Sequence, residues 1–443
     1  MTINFKFIEM LVIFASLLVL AGEEKPWPKI SGWGWLTMGQ VVNTEPNKHA
    51  LYPEFDNKWL TDLQAGIKVS ASVTSRSTCQ IHLMTSLQFP VVTVTAGADN
   101  SEPLQKSFSV SLLDASIRTN WRIGDKDTIL TEFGYFPVKY NPEAMNLGEY
   151  LFRSNTYPGL LVSGFEIADK VKMAGIHSGY IKHASAGDFK LNLYLNTETE
   201  SYPTFDLSLS YIIGYSTPKS VLDVSAGISH HHLVAFDEKR ITPGKSDAYN
   251  TIATSFVDST TGDTTDYTFR GTKLAARATF NVKKIFEWKI FGDNDLKLYA
   301  EMAILGLRDY PGWYSNLKER IPIMFGFNIP TFKLLDVLAM ELEYYPNPYQ
   351  NAFHFIWKSN SPVPYFGLNT GINYYSDWEK KNDDDWKWSV YASKKIKCVR
   401  ISGQIASDHS SKSSYLPAGK KLYNEIVPRT KDWYYMLRCG FYF

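Results

Sequence analysis

Apolar and polar residues alternate at period two through much of the chain. Phe189, Leu191, Leu193 and Leu195 alternate with Lys190, Asn192, Tyr194 and Asn196. Phe205, Leu207, Leu209, Tyr211 and Ile213 are spaced in the same way, as are Leu274, Ala276, Ala278, Phe280 and Val282. Successive side chains of a strand point to opposite faces, so each segment predicts one apolar and one polar face. We count eighteen strands: near 30–42, 62–75, 78–89, 108–122, 128–139, 171–183, 188–196, 204–215, 220–232, 267–283, 295–306, 320–329, 336–345, 351–358, 364–376, 386–396, 399–408 and 432–443. Sixteen is the alternative count. Connections alternate between long (43–61, 90–107, 140–170, 233–266, 409–431) and short (Arg76-Ser77, Ala184–Gly187, Ser216–Lys219). An even number of strands with long loops on one side predicts an all-β chain: one closed antiparallel transmembrane barrel with long extracellular loops and short periplasmic turns.

The final segment sharpens this. Trp433, Tyr435, Leu437, Cys439, Phe441 and Phe443 share a face, and the chain stops there. Soluble domains usually end on frayed, polar residues. The ending resembles the closing strand of bacterial outer-membrane β-barrels of the porin type. That resemblance implies that Phe443, Phe441 and Tyr435 form part of the signal read by the barrel-assembly machinery. Phe133-Gly-Tyr-Phe-Pro137 is similar, over five residues, to the phosphate-selective porin group.

The amino terminus agrees with export. Lys6 precedes the apolar run Met10–Leu20, and Val19-Leu-Ala21 offers small or aliphatic residues for cleavage. Residues 1–21 therefore read as a signal peptide and 22–443 as the barrel, placing the chain in the outer membrane of a Gram-negative bacterium. The apolar run is shorter than a membrane-spanning helix. Aromatics make up 15% of the residues while mean hydropathy is only −0.22, which suits strands apolar on one face alone. A formal charge of +1 argues against a nucleic-acid partner. Cys79, Cys398 and Cys439 cannot all pair with one another, and no structural disulfide is expected.

Candidate function concentrates in the third long connection. Pro142 opens a helix-forming stretch that runs to Arg153, and Gly159–Ile167 is too apolar for a solvated loop. In general porins the third outer loop folds inward, and 140–170 is similar in placement, so the resemblance implies a constriction. Glu143, Glu149 and Arg153 are the charges that such a constriction would present. The wall supplies the bases Lys68, Arg118, Arg122, Lys190, Lys273, Arg277, Lys297, Lys387, Lys395, Arg400 and Arg438. Its acids are Asp114, Glu132, Asp206, Asp223, Glu301, Glu341, Glu343 and Asp408. Rings of charge set ion preference in pores, and these lean toward anions.

Catalytic constellations are weak by comparison. On a regular strand only His230 and His232 of the triplet His230-His231-His232 share a face, and no acid or thiol at ligand spacing completes a metal set. The triplet is expected at an exposed loop edge. No serine is placed beside His82 or His177, and no phosphate loop or nucleophile elbow stands out. The reading is a channel for small polar solutes or ions, without enzymatic chemistry, cofactor or metal. Its partners are outer-membrane lipid, the assembly machinery and, by resemblance, two further copies in a homotrimer. The alternatives are a specialised transporter, a closed barrel with a hydrolase or anchoring role, and a soluble secreted β-rich carbohydrate-binding protein.

Overall fold

The computed structural model describes residues 28–44, 59–88, 107–124, 126–153, 161, 163–165, 171–197, 205–236, 252–258, 260–268, 270–286, 288–307, 316–346, 385–415 and 421–443. The first nine strands are β1 (Lys29–Asn43), β2 (Trp59–Ser72), β3 (Ser77–Gln88), β4 (Ser107–Ile123), β5 (Asp127–Pro137), β6 (Lys172–Ala184), β7 (Gly187–Thr197), β8 (Phe205–Ser216) and β9 (Leu222–Phe236). A hairpin of β10 (Ile252–Val257) and β11 (Thr264–Thr268) follows. The chain then forms β12 (Gly271–Asn281), β13 (Lys297–Ile304), β14 (Ile323–Asn328), β15 (Val337–Tyr344), β16 (Trp386–Ile396) and β17 (Val399–Ser407). A second hairpin, β18 (Ser411–Tyr415) with β19 (Lys421–Glu425), precedes β20 (Trp433–Tyr442). All but the two hairpins join in one closed antiparallel barrel of sixteen strands.

Closure comes from the chain's two ends. β1 pairs with β20 from Trp33↔Tyr442 to Asn43↔Trp433, and the backbones of Gly32 and Phe443 exchange two hydrogen bonds of 2.9 Å. The barrel itself keeps no open sheet edge to template association. The preferred count of eighteen gives way to sixteen because β15 bonds directly to β16, from Val337↔Ser393 to Tyr344↔Trp386. The expected strands 351–358 and 364–376 lie outside the described residues, and the barrel has no place for them between β15 and β16. Losing two strands keeps the count even, so both ends remain on the same side. The expected strand 267–283 is also divided, with 264–268 belonging to the β10–β11 hairpin.

The alternation sets which face is which. Phe133, Ile213, Phe325, Leu437 and Phe441 are exposed on the outside, while their neighbours Glu132, Ile212, Met324, Met436 and Arg438 are buried within. The apolar faces are not covered by a second sheet. Three irregularities in the barrel adjust the pattern: the register shifts between Val41 and Asn43 opposite β20, between His82 and Leu83 opposite β4, and opposite Leu207–Leu209 in β9.

Glycines make room for rings on neighbouring strands. Tyr299 lies over Gly326, its cross-strand partner, where a Cβ would collide with the ring. Trp33 covers Gly66, Trp35 covers Gly440, and the Phe443 ring covers Gly32. Such pairs lock register, because a shift of one residue would move every ring to the opposite face. Gly326→Ala should overpack this contact and cost about 1–3 kcal/mol. The compact form on a detergent gel should then convert at a lower temperature, and an unchanged conversion temperature would count against the register lock.

Candidate functional site

The described residues of the connection from β5 to β6, chiefly 138–153, lie inside the barrel against the inward faces of β9 and β12–β15. Its Ala144, Leu147, Tyr150 and Leu151 are fully buried with Tyr299, Ala303 and Met324 of the wall. What holds it is a set of carboxylates on the wall. Glu341 accepts the backbone N–H groups of Met145 (2.5 Å), Asn146 (2.8 Å) and Leu147 (2.8 Å). Glu301 accepts those of Glu149 (3.0 Å) and Tyr150 (2.7 Å) and the Asn141 amide (3.0 Å). Glu149 turns back to take the N–H groups of Tyr140 and Asn141.

This explains a departure from expectation. The helix-forming stretch after Pro142 is a series of turns, and only Tyr150–Arg153 closes a helical turn. An α-helix sends its N–H groups to its own carbonyls. Here they are committed to wall carboxylates, with Gly148 and Glu149 at positive φ of 84° and 63°. A Cβ at position 148 would press on Met324 and Glu301, so glycine fits the close approach.

A second set of contacts holds the return of the loop. Asn146 donates to Asp408 (2.6 Å) and accepts from Gly164 N (2.7 Å), while Tyr150 donates to Glu343 (2.8 Å). His409 lies between Glu343 and Glu425, at 2.6 Å from each. Burial by itself would lower the His409 pKa, but the two carboxylates outweigh it and raise it to about 9. Phe165 packs on Tyr391 and covers the Arg438 guanidinium, whose other face lies over Trp35.

The opposite arc, β2–β8, carries the exposed bases Arg118 and Arg122 and the half-buried Lys68 and Lys190. Arg118 donates from Nη2 to both Glu132 oxygens at 2.9 and 3.1 Å, yet its side chain keeps 46% of its surface while that of Glu132 keeps 3%. Lys190 pairs with Asp223 at 3.2 Å, and Arg277 reaches the same carboxylate at 2.7 Å. Among the wall acids named from the sequence, all except Asp223 are buried. Among the bases only Lys273, Lys387 and Arg438 are. Among these named wall residues the accessible charge is therefore mainly basic.

The constriction candidates thus separate. Glu143 pairs with Lys297 at 2.8 Å, Glu149 is consumed within its own loop, and Arg153 ends the helical turn. Arg438 is sandwiched between rings instead of facing water. Lys68, Arg118, Arg122 and Glu132 line the other arc, with Arg277 at its edge. Sequence reasoning named Glu301, Glu341, Glu343 and Asp408 as lumen charges and missed their hold on the loop. Trp33 and Trp35 both face inward and stack at 4.1 Å, with Trp33 donating to His82. The histidine triplet needs correction. A bulge with His232 at φ 50° turns both His231 and His232 inward and buries them, so they do not stand at an exposed loop edge. His232 pairs with Asp206 at 3.0 Å. No cluster with metal-ligand geometry occurs among the described residues.

Two measurements check this geometry. Glu341→Ala would orphan the buried N–H donors of Asn146 and Leu147 at about 1–3 kcal/mol each, and the half-buried one of Met145. A cysteine introduced by Ala144→Cys should react slowly with a thiol reagent in the otherwise native chain and about tenfold or more faster in the Glu341→Ala background. Equal rates would contradict the anchoring role. Because the His409 pKa is raised on folding, its stabilisation is full below the ordinary 6.5 and is lost as pH rises through about 9. Resistance to thermal unfolding should fall between pH 7 and 10, and His409→Gln should flatten that fall; an identical slope would sink the assignment.

No family model and no curated protein matches the chain. Solved structures do. The structure is similar to Pseudomonas putida OprB at high pH, with a TM-score of 0.50 and 8% identity over 97% of this chain and 96% of that one. Salmonella typhi OmpF in complex with daunomycin matches at 0.45 and 10% identity, over 95% and 100% of the chains. The outer-membrane channel DcaP of Acinetobacter baumannii matches at 0.42 and 10% identity, over 94% and 97%. Together with the closed sixteen-stranded barrel, the likeness to OprB gives this chain the fold of the bacterial outer-membrane porins.

Proposed function

We propose that the chain is a porin-like outer-membrane channel that passes small polar solutes and prefers anions. The observation that carries this reading is the division of the lumen. One side is filled by a loop bound through Glu301 and Glu341; the other presents Arg118, Arg122, Lys68 and Lys190 to water. The exposed apolar belt on the outside supports a bilayer setting, because a soluble monomer rarely carries a contiguous apolar surface of that extent. Long connections then face outward from the cell and short turns face the periplasm.

In this account the β5–β6 loop sets the size limit and the wall performs no chemistry. Buried acids tune the pore indirectly. Each carboxylate orients a base or a backbone segment while contributing little accessible negative charge. Export through a cleaved segment at 1–21, recognition of Phe443, Phe441 and Tyr435 by the assembly machinery, and a homotrimer complete the proposal. A soluble carbohydrate-binding role has less support, since the aromatic faces are spread around the outside of a closed barrel.

Planar-bilayer recording tests the reading. The purified protein should give discrete conductance steps and a reversal potential displaced toward the anion under a salt gradient. Arg118→Gln/Arg122→Gln should reduce that displacement, and Lys68→Gln added to them should reduce it further. Absence of steps would remove the channel; an unaltered reversal potential in the variants would remove the assigned selectivity.

A further inference from the structure

The outer surface of β12–β16 carries a groove of about 740 Å³ that the pore does not use. Its walls follow from register. Phe280, Leu298, Phe327, Met340 and Val390 form one row of cross-strand neighbours. The row above it holds Ala278 and Ala300 beside Phe325, and these two small side chains make the hollow. Phe280, Leu298 and Phe327 are the last outward positions before the turns at the short-turn end.

Those turns are unusual. Phe286, Trp288, Phe291 and Phe332 stack in series at 4.6, 5.5 and 5.3 Å, joining the β12–β13 turn to the β14–β15 turn. Lys284, Lys289 and Lys333 are exposed beside them. The acids of the same turns that the structure describes each have a partner. Asp293 pairs with Lys283, Asp336 with Lys394, and Asp295 is buried, accepting from Gly292, Thr331 and Phe332. Phe332 and Lys333 hold positive φ of 55° and 69°, a costly conformation for such residues that keeps both outside the turn.

We propose that this groove and its lysines form a binding site for an anionic phospholipid of the surrounding bilayer. The proposal rests on the membrane reading above. One acyl chain lies in the groove along Ala278 and Ala300, and the headgroup phosphate meets Lys284, Lys289 and Lys333. The ring series lies in the turns that join these same strands, and aromatic side chains favour the boundary of hydrocarbon and water. Charge complementarity selects the lipid class, since basic residues at a membrane surface attract anionic headgroups. A free phosphate would have no use for the groove.

The test is native mass spectrometry of the full chain, released from neutral detergent after incubation with equal phosphatidylglycerol and phosphatidylcholine. Wild type should retain phosphatidylglycerol in preference. Lys284→Gln/Lys289→Gln/Lys333→Gln should cut that retention roughly tenfold or more, and Ala300→Phe, which fills the hollow from the outside, should lower it with the lysines intact. Equal retention of both lipids, or unchanged retention in either variant, would overturn the proposal. So would displacement of the lipid by soluble glycerol phosphate, or recovery of a lipid-free dimer in which a second copy covers the groove. Heat-modifiable gel migration checks that the variants fold. Conductance of the same preparations reads the pore separately, so a failed lipid site and a failed channel give different results.

Discussion

The structure depends on carboxylates that face inward from the wall and receive backbone N–H groups from a loop. Glu341 takes three such donors and Glu301 two, along with a side-chain amide. A loop inside a barrel would otherwise bring unsatisfied donors away from water, at a cost comparable with a lost hydrogen bond for each. The carboxylates solve that problem for Asn141–Tyr150, and burial of Leu147, Tyr150 and Leu151 against Tyr299 and Met324 adds the apolar part. Without the acids the apolar contacts would have to carry the orphaned donors as well. With them the loop has one place to sit.

This arrangement separates total charge from effective charge. Glu132 neutralises Arg118 in formal terms, yet the carboxylate is covered and the guanidinium is not. The same inequality recurs between Lys190 and Asp223 in weaker form. On the proposed channel reading, a wall built in this way presents basic groups to a passing solute while their acidic partners stay covered. Balance by buried partners also limits self-repulsion among the bases, which would otherwise oppose the compact barrel.

The barrel was legible in the sequence because its determinants are local. Period-two alternation around Phe189–Asn196 or Leu274–Val282 places each side chain without knowledge of its neighbours. The aromatic last strand likewise showed that the end of the chain is structured, and it pairs with β1. Strand number was less legible, since alternation in the sequence marks apolar and polar positions but not which segments join the wall. The roles inside the lumen were hidden for a different reason. Glu341 lies 194 residues from Leu147, and no pattern along the chain couples them. Bulges defeat parity as well: His231 and His232 share a side only because His232 adopts a positive φ.

The central claim is that Glu301 and Glu341 keep the β5–β6 loop in the lumen and so fix the width of the passage. Liposome swelling with a graded series of neutral oligosaccharides reads that width directly. The account predicts that Glu301→Ala/Glu341→Ala admits larger solutes than wild type while keeping the folded gel form. An identical exclusion limit in a folded double variant would contradict it.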